Sequence, residues 1–133
     1  MRTMQRQDAG FTLIELIIVM SIISVLTVIA VPRFGSAIRH AKEAALKEDL
    51  NVMREAIDSY TIDKQKAPQS LDDLTAEGYL KSIPADPFTY TKDSWVLESS
   101  DALHSVEQTD PGIDNIRSGS EELGSDGQPY SSW

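Results

Sequence analysis

A run of 21 residues from Phe11 to Val31 is apolar apart from a few hydroxyl side chains and one acid, Glu15. At about 1.5 Å per residue, a helix of this length spans about 30 Å, the thickness of the hydrocarbon layer of a bilayer. A carboxylate within that layer costs roughly 2.5 to 3.5 kcal/mol by insertion scales, so it usually marks a functional site. The run therefore predicts a transmembrane helix over residues 11–31, with Glu15 as its candidate functional residue.

Glu15 has no basic partner between Phe11 and Val31. If the chain is cut after Gly10, Phe11 acquires a free amine about four residues, or about 6 Å, along the helix from Glu15. A cation at that depth is a suitable partner for the carboxylate. We expect the pair to form between neighbouring subunits.

The ten residues before the run are polar and include Arg2 and Arg6. Secretory signals have a shorter apolar core followed by a small-residue cleavage site, whereas this polar leader precedes an apolar run of spanning length. The segment is therefore either an uncleaved signal anchor or a cleaved leader followed by an anchor. The positive-inside rule keeps the leader in the cytoplasm and sends the remaining chain outward.

The net charge of −9 is divided unevenly along the chain. Residues 1–40 carry four arginines against two acids, whereas residues 41–133 carry eight basic residues against nineteen acids. Such an acidic domain repels nucleic acid phosphates and suits divalent cations better. The chain has no cysteine, which excludes disulfides and thiolate zinc sites.

A second helical pattern follows the apolar run. Pro32 and Gly35 predict a kink or a locally melted turn, because proline removes a backbone hydrogen bond and crowds the preceding turn. Beyond them, apolar residues recur at alternating spacings of four and three, which predicts an amphipathic continuation over residues 32–63. This stripe is either the core seam of a small domain or a seam between bundled helices; its members are Leu46, Leu50, Met53, Ile57 and Tyr60.

Residues 64–133 contain short elements and turns. Ser70 and Asp73 form a capping-box pattern at the start of a short helix, for which Gly78 is the natural stop. A proline-rich connection at 84–87 predicts a surface loop. Strand composition occurs at Ser94–Glu98, Leu103–Val106 and Ile113–Arg117, and the sequence from Ser118 onward reads as either a tail or a tied-down loop. The expected fold is α+β: a long N-terminal helix, kinked near Pro32, packs on a small antiparallel sheet with a C-terminal loop.

The sequence Gly10-Phe-Thr-Leu-Ile-Glu15-Leu resembles the class III signal shared by type IV pilins and the pseudopilins of type II secretion systems. The resemblance implies that a prepilin peptidase cuts after Gly10 and methylates the amine of Phe11, and that Glu15 sets the assembly register. Residues 1–10 are then the leader and 64–133 the periplasmic head. Further segments are similar to the major pseudopilin group, namely Leu46 to Asp58, Ser70-Leu-Asp-Asp-Leu, Gly78-Tyr-Leu, Ile83-Pro-Ala-Asp-Pro87 and Trp95.

This resemblance implies a structural subunit of a helical pseudopilus that helps to move folded proteins across the outer membrane. The implied location is the bacterial inner membrane, with one span and the head in the periplasm. The implied partners are other copies of the chain, minor pseudopilins, prepilin peptidase, and an assembly platform with its ATPase. Membrane lipid surrounds the helix before assembly, and no nucleic acid is expected. The alternatives are a type IV pilin of a surface filament and a membrane-anchored periplasmic binding or enzyme domain.

The acidic C-terminal segment is a candidate calcium site. Calcium takes six to eight oxygen ligands and tolerates irregular loops, and the resemblance to major pseudopilins also implies such a site. The spacing fits no EF-hand template, so a solvated acidic loop is the alternative. The candidate ligands are Asp126, Glu121, Glu122, Ser118 and Ser120.

Catalytic residues are not indicated. His40 and His104 lie in unlike surroundings, and no nucleophile is paired with a base in the sequence. We interpret both as surface histidines and expect no enzyme activity.

Overall fold

The computed structural model describes residues 10–99 and 111–133, so the predicted leader and the predicted strand at 103–106 lie largely or wholly outside the described residues. The chain forms two compact units, of which the first ends at Ile38 and the second begins at Arg39. A long helix and a small antiparallel sheet confirm the α+β prediction. The elements are α1 (Leu13–Lys64), α2 (Leu71–Ala76), β1 (Val96–Ser99), β2 (Ile113–Arg117) and a 3₁₀ helix (Tyr130–Ser132).

The first unit consists of the apolar part of α1. The helix remains continuous through Pro32 and Gly35, so the predicted alternative of a melted turn does not form. The predicted kink near Pro32 stays a prediction. Every side chain from Phe11 to Ile38 is exposed.

The second part of α1 supplies the core of the second unit. All five residues of the predicted stripe are buried, and Leu46 and Met53 are completely inaccessible. This confirms the stripe as a core seam. Burying each such side chain contributes about 1.5 to 3 kcal/mol relative to leaving it in water. The seam packs in one cluster with Leu71, Leu74, Leu80, Trp95, Ile113, Ile116 and Tyr130.

The capping box predicted for α2 is present. The Asp73 amide donates to the Ser70 hydroxyl at 3.3 Å, and the Ser70 amide donates to the Asp73 carboxylate at 3.0 Å. These bonds satisfy amides that have no partner within the helix. The helix ends at Ala76, and Gly78 follows with φ of +82°, a conformation that favours glycine.

The sheet contains one irregularity that orients its apolar residues. Glu98 pairs with Asn115, but Ser99 pairs with Ile113, so Asp114 is an extra residue in β2. A bulge of this kind changes which side chains share a face. Ile113 and Ile116, three residues apart, are therefore both buried, whereas regular alternation would place them on opposite faces.

The connection predicted as a surface loop at 84–87 is only partly at the surface. Asp86 is completely inaccessible, which contradicts that expectation. Its carboxylate accepts the Phe88 amide at 2.8 Å and the Thr89 amide at 3.3 Å, and it also accepts the Ser118 hydroxyl. A buried carboxylate needs such donors, and proline content alone does not reveal them.

The segment from Ser118 onward is a tied-down loop rather than a tail. The Arg54 guanidinium donates at 2.9 Å to the Asn115 side chain and to the main-chain oxygens of Ile116 and Trp133. Gly119 packs closely against the connection that leads into β1, because a Cβ atom added to it would be 2.0 Å from the Ser94 main-chain oxygen. The Trp133 and Gly119 contacts place the loop against α1 and against the connection before β1. The other two bonds of Arg54 join α1 to β2.

We predict that Gly119→Ala destabilises the second unit. The added methyl group overlaps a main-chain oxygen that cannot rotate away, and overpacking of this kind typically costs about 1 to 3 kcal/mol. The check is the denaturant midpoint of the full chain in detergent, followed by tryptophan fluorescence. Gly35→Ala is the control, because its Cβ meets nothing within 4 Å and alanine favours the helix, so it should not lower that midpoint. Equal midpoints for Gly119→Ala and the wild type would contradict the prediction.

Candidate functional site

The N-terminal segment presents the predicted processing and assembly residues together. Gly10 is exposed, Phe11 is 83 % exposed, and α1 begins two residues later at Leu13. The Glu15 amide donates to the Thr12 hydroxyl at 3.3 Å, which makes Thr12 the cap of the helix. Glu15 therefore lies in the first turn, where the helix dipole favours a negative charge.

Thr12 is a residue that the sequence interpretation missed. Its signal is the spacing Thr12-Leu-Ile-Glu15, which fits the capping-box pattern of a Thr followed three residues later by Glu. The apolar character of the surrounding run obscured this pattern. The pairing of Glu15 with a neighbour's Phe11 amine stays a prediction.

The apolar surface of α1 is suited to lipid. An 18-residue window of this helix has a mean hydropathy of 2.7, and none of it is buried. Three hydroxyls within the helical span donate to the carbonyl oxygen four residues earlier, at 2.7 to 2.8 Å, so the helix itself satisfies these polar side chains. These bonds join Ser21 to Ile17, Ser24 to Met20, and Thr27 to Ile23.

Two of the five predicted calcium ligands lie inside the fold. Ser118 and Ser120 are buried. The Ser118 hydroxyl donates to Asp86 and accepts the Ser120 amide at 3.1 Å, and the Ser120 hydroxyl accepts the Glu122 amide at 3.3 Å. Both serine oxygens are therefore already engaged in closing the loop.

The three predicted acidic ligands, Glu121, Glu122 and Asp126, are exposed. Glu121 accepts the Ser131 hydroxyl at 3.3 Å, and Asp126 accepts the Gln128 amide at 3.0 Å. Within residues 10–99 and 111–133, no group of three or more His, Cys, Asp or Glu side chains could hold a metal ion. The five predicted ligands thus do not fit a ready-made calcium site, and calcium binding stays a prediction.

Glu43 is a second residue that the sequence interpretation missed. It lies on α1, is only 5 % exposed, and accepts three hydrogen bonds from the C-terminal loop. Its signal was its position three residues before Leu46, which continues the buried stripe by one turn. Ser125 donates at 2.8 Å from its amide and at 2.7 Å from its hydroxyl, and the Tyr130 hydroxyl donates at 2.9 Å.

Aromatic side chains complete the contact between α1 and the loop. The Tyr130 ring stacks on Phe88 with centroids 3.8 Å apart, and it meets Trp133 edge-on at 5.0 Å. The Lys47 ammonium lies 4.5 Å from the centre of a Trp133 ring, within the range of a cation–π contact. Trp95 is buried in the core, and its indole donates to the Pro84 carbonyl at 2.9 Å.

The N-terminal features match a known motif, because residues 5–31 fit the family model described as the prokaryotic N-terminal methylation motif. A type II secretion system core protein G from Pseudomonas aeruginosa is 32% identical over 100 residues, covering 63% of this chain and 70% of that relative. The chain belongs to the type II secretion system core protein G family. Its members are pseudopilins within the wider pilin-like group.

Other relatives support the assignment of this chain to the pseudopilins and the wider pilin-like group. A core protein G from Escherichia coli K12 is 32% identical over 104 residues, covering 66% of the chain and 71% of the relative. The competence protein ComGC of Halalkalibacterium halodurans is 34% identical over 74 residues, covering 56% and 72%. No solved structure was found to match the pseudopilin. Family membership and the apolar helix together indicate that the chain is anchored in a membrane.

We predict that this pseudopilin loses stability in acid through Glu43. The Ser125 hydroxyl, with help from the Ser125 amide and Tyr130, holds the pKa of Glu43 at about 2 against the opposing effect of burial, whereas its ordinary value is 4.5. Because the unfolded chain takes up a proton near pH 4.5 and the folded chain does not, stability falls from about pH 4.5 down to about pH 2.

The check is the free energy of unfolding of the full chain in detergent between pH 6 and about 2. Glu43→Gln should flatten this dependence, because it removes the titrating group and keeps its size. Glu48→Gln, an exposed acid on the same helix, is the matched control and should keep the wild-type slope. The assignment is wrong if Glu43→Gln follows the wild-type curve.

Proposed function

We propose that the chain is the structural subunit of a type II secretion pseudopilus, a helical filament made of many copies. The observation that carries this proposal is the apolar part of α1, exposed along its whole length and bearing Glu15 in its first turn. Lipid must cover such a surface before assembly, and other copies must cover it afterwards. A filament follows when the contact between copies is heterologous and does not close into a ring.

We infer that a prepilin peptidase processes the chain between Gly10 and Phe11. The exposure of both residues, directly before the start of α1, supports access by such an enzyme. Cleavage there creates the Phe11 amine, which the enzyme then methylates. The methylated amine remains a cation, so it still suits a carboxylate.

Before assembly, the subunit is proposed to span the bacterial inner membrane with its acidic head in the periplasm. Arg2 and Arg6 support this orientation through the positive-inside rule. The intrahelical bonds of Ser21, Ser24 and Thr27 support a stable residence in lipid, since these three hydroxyls need no partner outside the helix.

Moving α1 from lipid into a filament gains little from hydrophobicity, because lipid tails are about as apolar as a neighbouring helix. The free energy for extracting the subunit from the membrane must therefore have another source, and we propose that the membrane platform and its cytoplasmic ATPase supply it. Minor pseudopilins are the proposed partners at initiation. The role proposed for this chain is structural rather than enzymatic.

Glu15 gives the assembly its register in this proposal. An unpaired carboxylate is costly in lipid, and pairing with the Phe11 amine of a neighbour removes that cost only at one relative height. Buried charge pairs are better attested as determinants of specificity than as sources of net stability. The pair therefore determines the relative height at which neighbouring subunits pack.

We predict that Glu15→Ala abolishes filaments while leaving membrane insertion intact. The change leaves the Phe11 amine buried and unpaired, and breaking a buried pair in this way costs about 3 to 5 kcal/mol, or at least about a hundredfold in assembly. The measurement is the yield of filaments by electron microscopy, with membrane fractionation to confirm insertion.

Two controls make this test specific. Ser24→Ala removes a hydroxyl satisfied within the same helix and should assemble normally. Mass spectrometry of Glu15→Ala should still find an N-methylated Phe11, which separates assembly from processing. Normal filaments from Glu15→Ala would refute the pairing, and an intact Met1 in the wild type would instead favour an uncleaved anchor on a periplasmic domain.

A surface filament of the type IV pilin kind is the second candidate function. The observation in its favour is a type IV major fimbrial protein FimA of Dichelobacter nodosus that is 36% identical over 66 residues, covering 50% of this chain and 41% of the relative. Long surface filaments at native expression would support the pilin. Failure of protein secretion on deletion would support the pseudopilus.

Calcium binding at the C-terminal loop is also proposed, through the exposed carboxylates of Glu121, Glu122 and Asp126 rather than through the engaged serines. Carboxylate oxygens are the ligands that calcium prefers, and glycines at 119, 124 and 127 flank these acids. The three side chains must draw together around the ion, because the described loop does not gather them.

We predict that calcium raises the melting temperature of the full chain in detergent, because an ion bound only by the folded state stabilises that state. Asp126→Ala should abolish the shift. Asp72→Ala, which changes an exposed acid on α2, should retain it. A wild-type melting temperature that is the same in calcium and in chelator would reject calcium binding.

A further inference from the structure

The C-terminal loop surrounds the Glu43 carboxylate with hydrogen-bond donors. Oε1 accepts the Ser125 amide and the Tyr130 hydroxyl, and Oε2 accepts the Ser125 hydroxyl. The His40 ring lies at the solvent side, with Nδ1 3.5 Å from Oε2. One side chain of α1 thus holds two points of the loop that are five residues apart in sequence.

The polarity of this arrangement is opposite to that of a cation site. A metal ion collects oxygen lone pairs, whereas the inner face of this loop directs an N–H group and two O–H groups towards an anion. Ser125 and Tyr130 already direct these donors at Glu43. The centre of the loop is therefore built around a carboxylate that belongs to the chain itself.

Three main-chain carbonyls of the loop accept hydrogen bonds from amides of the same loop. The Gly124 amide donates to Gln128 O at 2.7 Å, the Tyr130 amide to Glu122 O at 3.0 Å, and the Ser131 amide to Ser120 O at 2.9 Å. Together with a bridge pairing Leu123 with Pro129, these bonds fold the loop back on itself. The loop is closed by bonds between protein groups.

We propose that Glu43 closes the C-terminal loop from the inside and that the loop reaches this closed state without a metal ion. Calcium at the outer carboxylates then adds to a loop that is already formed. Because the carboxylate is on α1 and its donors are on the loop, Glu43 also couples the loop to the helix that anchors the subunit. Arg39 adds a weaker contact nearby, donating to Leu123 O at 3.5 Å.

Hydrogen exchange followed by mass spectrometry tests this proposal on the full, unassembled chain in detergent with excess chelator. The wild-type loop, residues 118–133, should be protected under these conditions. Glu43→Ala should speed its exchange by at least about tenfold, the factor expected for losing a hydrogen bond to a charged group. Glu48→Ala, which changes an exposed acid on the same helix, should leave the protection unchanged.

Adding calcium distinguishes an internal closure from one that depends on an ion. Under the proposal, calcium does not restore protection to Glu43→Ala. The proposal is overturned if the wild-type loop exchanges as fast as Glu43→Ala in chelator and becomes protected only in calcium. It is also overturned if Glu43→Ala is protected as well as the wild type.

Ser125→Ala provides a milder test if Glu43→Ala does not fold. It removes one of the three bonds and retains the amide donor, so the loop should exchange faster than the wild type while the α1 core stays protected. Wild-type protection of the Ser125→Ala loop would overturn the proposal. None of these measurements requires filament formation, so their outcome is independent of the proposed pseudopilus function.

Discussion

The rest of the structure depends on α1, a single helix whose first part has an apolar surface suited to lipid and whose second part packs in the core of the head. From Leu13 to Val31 the side chains are exposed and, apart from Glu15 and three hydroxyl residues, apolar, which suits lipid or a protein neighbour. From Leu46 to Tyr60 only one stripe is apolar, and that stripe is buried by the head. The change occurs within the single element α1, so the anchor and the core seam share one backbone.

The head has a small core, and polar contacts from α1 extend it. Glu43 and Arg54 lie on the same helix and contact the C-terminal loop with opposite charges. Glu43 accepts bonds from two side chains and an amide, whereas Arg54 donates to the main-chain oxygen of Trp133 in the loop and to that of Ile116 in β2. A chain without cysteine cannot fix such a loop by a disulfide. Buried, fully satisfied polar contacts are an alternative means of making the loop conformation unique.

Periodicity made much of the fold predictable. The stripe on α1, the capping box of α2 and the bounds of β2 are local patterns, and the structure confirms all three. The buried carboxylates were harder to assign. Asp86 lies in a proline-rich connection, and one of its donors is 32 residues away. Glu43 continues the stripe, but its Ser125 donors are 82 residues away, so the stripe does not show that a carboxylate can be satisfied there. Local pattern also cannot show that the Ser118 and Ser120 hydroxyls already have partners, and for that reason the predicted calcium ligands included them.

The side chains of the span bear on the geometry of the proposed filament. The hydroxyls of Ser21, Ser24 and Thr27 bond to their own backbone, and Glu15 is the one charged side chain between Phe11 and Val31. Apolar contact is non-directional and leaves both height and rotation free, whereas in the proposed pair the Glu15 carboxylate must face the neighbour's Phe11 amine. Under that proposal, one side chain near the end of the span sets both the height of a subunit and the face of α1 that is turned towards its neighbour.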